Sequence, residues 1–252
     1  MSSMLVLLLS LQQATTPITT PRELLAAMRA RYDGTWYRNV TFVQYNTEKR
    51  PDGSLDSTVW HEWLAAPGKL RIEVQPSDSG NGMLFRGDSQ FVFRKDSAVL
   101  ARPFVHPLLV LRFDVYMQPV ERTIAALTRG PRPFDLSILS EATWQGRPVY
   151  VVGARAGDLH SRQFWVDKER LLFVRMLNPA PQDTAKTSEI RFNRYEPLAG
   201  GWIAPEVEFL MDGDRQFLEE YKQIQVNVAI PDAMWDPRQW KAMRAARGGR
   251  AN

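Results

Sequence analysis

The chain has 252 residues, 44% of them hydrophobic and 11% aromatic, which is enough apolar mass for a sizeable core and excludes a disordered or low-complexity polymer. Charge is plentiful but balanced, 32 Lys and Arg against 28 Asp and Glu, so the net +4 argues against a general nucleic-acid binder. With no cysteine there is no disulfide framework, thiol nucleophile, zinc-thiolate site or lipid-modified cysteine.

Residues 1–20 read as a targeting leader. The run Met4-Leu-Val-Leu-Leu-Leu-Ser-Leu11 is too short to span a bilayer as a helix, and it leads through Gln12-Gln-Ala14 into a Thr/Pro-rich stretch. Cleavage is expected near Ala14, which makes the protein an exported one.

The first predicted element is a helix: Thr20 is the N-cap, Pro21 takes the first turn, and Leu24, Leu25 and Met28 form an apolar stripe that ends near Tyr32-Asp-Gly34. Strands are predicted over 36–45, 55–65, 70–75, 83–87, 90–94 and 98–103. Turn chemistry separates them at Pro51-Asp-Gly-Ser54, Ala66-Pro-Gly68, Ser79-Gly-Asn-Gly82, Gly87-Asp-Ser89 and Lys95-Asp-Ser97. Leu70, Ile72 and Val74 alternate with Arg71, Glu73 and Gln75, which predicts one buried face and one wet face for that strand.

The strand rhythm then breaks. His106 to Met117 is strongly apolar, and a helical stretch runs from Glu121 through Ile124 and Leu127 to a stop at Gly130, so this segment is the expected lid or plug. Strands resume over 136–143, 149–154 and from Gln163. There Gln163-Phe-Trp-Val-Asp167 and Leu171-Leu-Phe-Val-Arg-Met176 flank a turn at Asp167-Lys-Glu169, with large apolar side chains on both faces. Further strands are expected over 187–195, 202–211 and 215–228, joined by Gly200-Gly201 and Asp212-Gly-Asp214. The total is about eleven to twelve strands without βαβ alternation, which argues for a mainly β, antiparallel fold in one domain over 21–237. Residues 238–252 are read as a basic solvated tail, since Lys241, Arg244, Arg247 and Arg250 have no carboxylate beside them. Such a tail also allows transient contact with an anionic membrane surface.

Enzymatic patterns are weak. Gly87-Asp-Ser89 begins like a Gly-Asp-Ser-Leu hydrolase block, but Gln90 stands in place of leucine and a hairpin turn explains it better. His61, His106 and His160 are far apart and lack metal-ligand spacing. Glu206 and Glu208 alternate with Val207 and Phe209 as the solvent side of a strand. No catalytic residue, metal or cofactor is assigned, and the aromatics lack the basic interleaving of a nucleic-acid platform.

The order of features resembles the outer-membrane lipoprotein carrier family, LolA and its relatives. Those features are an exported leader, an N-terminal helix, Pro67-x-Lys69-x-Arg71 opening a strand, and Gly87-Asp88 before Phe91 and Phe93. After them come the mid-chain apolar segment, Phe164-Trp-Val-Asp167, and Tyr221-Lys-x-Ile-x-Val-Asn227 leading to Ile230-Pro-Asp and Trp235-x-Pro237. The resemblance implies an unclosed antiparallel β-barrel whose helices cover a concave hydrophobic face. It also implies a monomeric periplasmic carrier that takes an acylated lipoprotein or lipid from an inner-membrane exporter to an outer-membrane acceptor. A sensor on the same fold, signalling lipid or lipoprotein to a partner protein, is the alternative. The strand-one arginine that steers the lid in some carriers has no clean counterpart, Arg38 lying in that region. Acyl chains bind by apolar burial, and the expected cavity and lid residues are Phe42, Trp63, Ile72, Phe91, Phe93, Leu108, Leu109, Leu111, Phe113, Phe164, Phe192 and Phe209.

Overall fold

The computed structural model describes residues 17–248. The cleavage point expected near Ala14, like most of the leader, lies outside the described residues. Helix α1 (Pro21–Arg31) begins as the sequence requires, with a reciprocal capping box: Thr20 Oγ1 accepts from Glu23 N at 3.2 Å, and the Glu23 carboxylate accepts from Thr20 N at 3.0 Å. Its Leu24, Leu25 and Met28 are fully buried.

Fifteen strands follow, β1 (Asn39–Lys49), β2 (Leu55–Ala65), β3 (Lys69–Val74), β4 (Gly82–Arg86), β5 (Ser89–Arg94), β6 (Ser97–Pro103), β7 (Leu139–Trp144), β8 (Arg147–Val152), β9 (Gln163–Asp167), β10 (Phe173–Pro179), β11 (Thr187–Asn193), β12 (Glu196–Leu198), β13 (Gly201–Ile203), β14 (Glu206–Met211) and β15 (Asp214–Val226). Thirteen form one sheet in the order β6-β5-β4-β3-β2-β1-β15-β14-β11-β10-β9-β8-β7, and β12 with β13 makes a separate small hairpin. Every pairing is antiparallel, and the sheet stays open between β6 and β7. The count exceeds the expected eleven to twelve partly because Ala204-Pro205 splits the stretch read as one strand over 202–211.

Topology explains the lid. The N-terminal strands β1–β6 form one meander and the C-terminal strands another, and the two join where β1 pairs with β15, Val40 opposite Val226. The chain therefore leaves one free edge at β6 and enters the other at β7. The intervening segment carries α2 (Pro107–Arg112), a 3₁₀ turn at Asp114–Tyr116 and α3 (Val120–Leu127). With α1 these elements pack Leu24, Met28, Leu109, Phe113, Tyr116 and Leu127 into the core cluster that contains the concave side chains Phe42, Ile72, Phe85 and Phe164. A mainly β, unclosed half-barrel with helices over its concave face is what the sequence predicted.

The convex face departs from expectation. After β15 the chain makes 3₁₀ turns at Asp232–Trp235 and Pro237–Gln239 and then α4 (Trp240–Gly248), and it lies back on the outside of β3–β5. Met234, Trp235 and Trp240 bury themselves with Leu84 and Phe93 in a second core. The stretch read as a solvated basic tail is thus packed against the sheet as far as it is described, because Trp240 and Met243 give it an apolar stripe. Nor is the Arg71/Glu73 face of β3 wet. Arg71 is 0% exposed, paired with Glu73 at 2.6 Å, and donates to the backbone oxygens of Met234 at 3.2 Å and Trp240 at 2.9 Å.

Candidate functional site

Alternation along the strands decides which side chains look inward. On β2, Trp60, Glu62 and Leu64 share the concave parity, whereas His61 and Trp63 point outward. On β4 and β5, Met83, Phe85 and Gln90 face inward, and Leu84, Phe91 and Phe93 face outward. The inward set and the lid line a partly open cavity of about 290 Å³. Its apolar walls include Trp60, Leu64, Leu70, Ile72, Phe209 and, from the lid, Leu108, Leu109 and Phe113.

Of the side chains expected from the sequence, Ile72, Leu108, Leu109, Phe113, Phe192 and Phe209 line this cavity. Phe42, Leu111 and Phe164 belong to the same continuous core without forming its wall, Phe164 meeting Phe134 edge-to-face farther along the sheet. Trp63, Phe91 and Phe93 are misplaced by that expectation. They have the outward parity and pack beneath the C-terminal segment, Phe93 lying flat on Trp240 with 4.2 Å between centroids.

The cavity has a polar floor. Arg112, from the end of α2, reaches down over the rings of Tyr221, Phe192 and Phe42, its guanidinium carbon 4.8, 5.3 and 5.9 Å from their centroids. Its Nη1 donates to the Tyr221 hydroxyl at 3.1 Å, and that hydroxyl donates to Glu219 Oε2 at 2.6 Å. Glu62 from β2 and Gln44 from β1 complete the floor. Burial, reinforced by the negative charge of Glu219, raises the Glu62 carboxyl well above its ordinary range, against the pull of Arg112. Burial likewise pushes Glu219 up to about 7, opposed by its bond from Tyr221 and by Arg112. Gln44, Glu62, Arg112 and Glu219 were not singled out in the sequence, yet a signal existed: Glu62 stands at the parity of Trp60 and Leu64, and Arg112 separates Leu108-Leu-Val-Leu111 from Phe113. Arg38, the residue in the strand-one region, is exposed.

Around the cavity, the lid is held by polar contacts. The Gly68 N–H donates to both carboxylate oxygens of Asp114 at 3.0 Å, where a smaller cleft of about 170 Å³ opens between lid and sheet. Burial pushes Asp114 up to about 7, with the Gly68 bond and Arg122 opposing. His106 caps α2, its ring Nδ1 accepting from Leu109 N at 3.4 Å, and burial holds it down to about 4. Arg22 pairs with Glu121 and Arg129 with Asp88, tying α3 to α1 and the segment after α3 to the β4–β5 turn. The Gly87-Asp-Ser89 sequence is indeed that hairpin turn.

No family model and no curated protein sequence matches this chain. Solved structures do. A putative outer membrane lipoprotein-sorting protein domain from Vibrio parahaemolyticus superposes with a TM-score of 0.60 at 12% identity, over 87% of this chain and 97% of that one. A LolA superfamily protein from Nitrosomonas europaea does so with a TM-score of 0.54 at 9% identity, over 87% and 98%. The fold is LolA-like. A DUF1329 family protein from Desulfovibrio piger shares it, with a TM-score of 0.55 at 17% identity over 86% of this chain and 95% of that one. At these identities the likeness is one of LolA-like architecture, and the ligand has to be argued from the cavity itself.

Proposed function

We propose that this protein is a carrier, not an enzyme, which shelters acyl chains of a lipid or acylated lipoprotein beneath its lid and moves them through the periplasm towards the outer membrane. The supporting observation is the lidded cavity of about 290 Å³ with aliphatic and aromatic walls. Chain burial at about 0.8 kcal/mol per methylene gives such a site its affinity without any catalytic group. The volume lies at the lower end of the range of about 300–1,000 Å³ for small-ligand sites, which suits one chain with the lid down and calls for lid movement to admit more. A lipoprotein-sorting assignment for one structural relative agrees with this reading, as would a membrane exporter and acceptor at either end of the route.

The test is extraction of the purified protein for mass spectrometry of lipids and acyl peptides, together with uptake of the neutral probe N-phenylnaphthylamine. A co-purifying acyl species and saturable uptake are expected. Leu109→Asp, which puts a charge into the cavity wall, should abolish uptake while the circular dichroism spectrum is retained. Absence of both lipid and uptake in the wild type would sink the proposal.

A further inference from the structure

A carrier for chains alone needs no charge in its cavity, yet this one holds a guanidinium. Arg112 Nη2 is buried without a hydrogen-bond partner, and Nη1 is satisfied only by the Tyr221 hydroxyl. Among the described residues no carboxylate forms an ion pair with Arg112; Glu219 reaches it only through Tyr221. The arginine remains a cation under all physiological conditions. The rings of Tyr221, Phe192 and Phe42 stabilise it in part and hold it in place. A partly desolvated cation with which no carboxylate pairs directly is nonetheless costly, and the cost falls when a ligand brings an anion into contact.

Resting on the acyl-binding reading, we propose that the cavity selects a single-chain amphiphile that ends in an oxyanion, a carboxylate or a phosphate, with that head on the Arg112 guanidinium and the chain along Ile72, Leu109 and Phe209. The planar guanidinium fork fits both heads in bidentate fashion. A neutral hydroxyl head can accept one hydrogen bond from the guanidinium but brings no countercharge and no bidentate pair, and a cationic head meets like charge. The two acidic residues of the floor compete less for the arginine than ordinary carboxylates would, because burial raises Glu62 well above its usual range and pushes Glu219 up to about 7. Arg112 is therefore the fixed cation that a ligand head meets in this cavity.

The experiment measures displacement of bound N-phenylnaphthylamine from the full chain at neutral pH by laurate, dodecyl phosphate, 1-dodecanol and dodecyltrimethylammonium, all with the same chain length and all below micellar concentration. Laurate or dodecyl phosphate, or both, should displace the probe at concentrations about tenfold or more below 1-dodecanol, and the cationic amphiphile should be weakest. Which of the two anions wins tells a free fatty acid from a lipid phosphate. Arg112→Met should erase the preference, bringing laurate and dodecyl phosphate to the level of 1-dodecanol in the same variant, and Arg112→Lys should keep part of it. Equal displacement by laurate, dodecyl phosphate and 1-dodecanol, or equal loss for all of them in Arg112→Met, overturns the proposal and leaves the acyl carrier standing. Failure of every amphiphile, 1-dodecanol included, removes both. Should Arg112→Met not fold, the wild-type ranking decides alone.

Discussion

Both faces of β2–β5 carry large apolar side chains, and the two faces end in opposite states. On the convex face the chain supplies its own cover: Trp240 lies on Phe93 with an interplanar angle of 3°, and the Arg71 guanidinium sits 3.9 Å above the same indole. Packing there is tight enough that a Cβ on Gly82 would lie 2.1 Å from the Ile72 carbonyl oxygen and 2.7 Å from the Trp240 ring. On the concave face the cover is a separate lid, and it leaves a cavity of about 290 Å³ over a charged floor. An arginine sits in each face, Arg71 fully buried and Arg112 half-buried, and their surroundings differ. Arg71 has a carboxylate and two carbonyl oxygens, whereas Arg112 has one hydroxyl and aromatic faces. A face that completes its own packing and polar pairing contributes stability, and one that leaves both incomplete is suited to a ligand.

The largest break in that comparison is Trp240→Ala. It removes the keystone of the convex core, including the bond from its indole N–H to the Gly80 carbonyl oxygen at 3.3 Å, and should cost about 3–5 kcal/mol of unfolding free energy, read from urea titrations. Protein that remains folded should still take up N-phenylnaphthylamine as the wild type does. A parallel loss of uptake would show that the two faces are coupled through the sheet.

How much of this was legible depended on how cleanly each strand alternates. The bounds of β2, the turns at Gly87-Asp88 and Lys95-Asp96, and the N-cap at Thr20 follow directly from residue type and spacing, and the structure reproduces them. The side of the sheet was not legible where both parities are apolar. Trp60 and Trp63 on β2 are both large and aromatic, and on β5 the inward residues are the less apolar ones, Gln90 among them, while Phe91 and Phe93 face out. Hydrophobicity alone then points to the wrong face. The floor was missed for the converse reason: a search for grease passes over Glu62, Glu219 and Arg112, whose meaning comes only from the residues brought opposite them. The C-terminal cover was hidden because its arginines outweigh Trp240 and Met243 in composition, although those two carry its packing.

A smaller effect separates the faces by pH. Glu219 ionises near 4.5 when the chain is unfolded and is pushed up to about 7 when folded. Between those values the folded state binds more protons, so this group's contribution to stability is intact below the lower value and is lost as pH rises to the upper one. Glu219→Gln cannot ionise, and its amide oxygen still accepts from Tyr221. Its stability relative to wild type should therefore rise with pH across that window, by about 3 kcal/mol at most. Gln44, Glu62, Arg112 and Tyr221 face the group in both proteins, and His106, whose depressed value gives the opposite slope, cancels in the difference. A pH-independent offset in denaturation midpoints would show that Glu219 is solvated through the cavity.

The smallest effect tests the rim of the convex cover. Arg244 on α4 forks onto Asp96 in the β5–β6 turn, with Nε at 2.8 Å and Nη2 at 2.6 Å from the two carboxylate oxygens, and Nη1 reaches the Ser77 carbonyl oxygen at 2.9 Å. Both side chains of the pair are 15% exposed, which makes it better shielded than an ordinary surface bridge and less costly to desolvate than a fully buried one. Bidentate geometry adds to its worth. Arg244→Ala should destabilise by about 1 kcal/mol at low salt, with part of that difference erased as ionic strength rises. The Arg112 preference for anionic amphiphiles should not change, because α4 has no place in the cavity wall. A shift in that preference would mean that the charge on the outer face is felt through the sheet, and the separation of a filled side from a ligand side would then hold for packing but not for electrostatics.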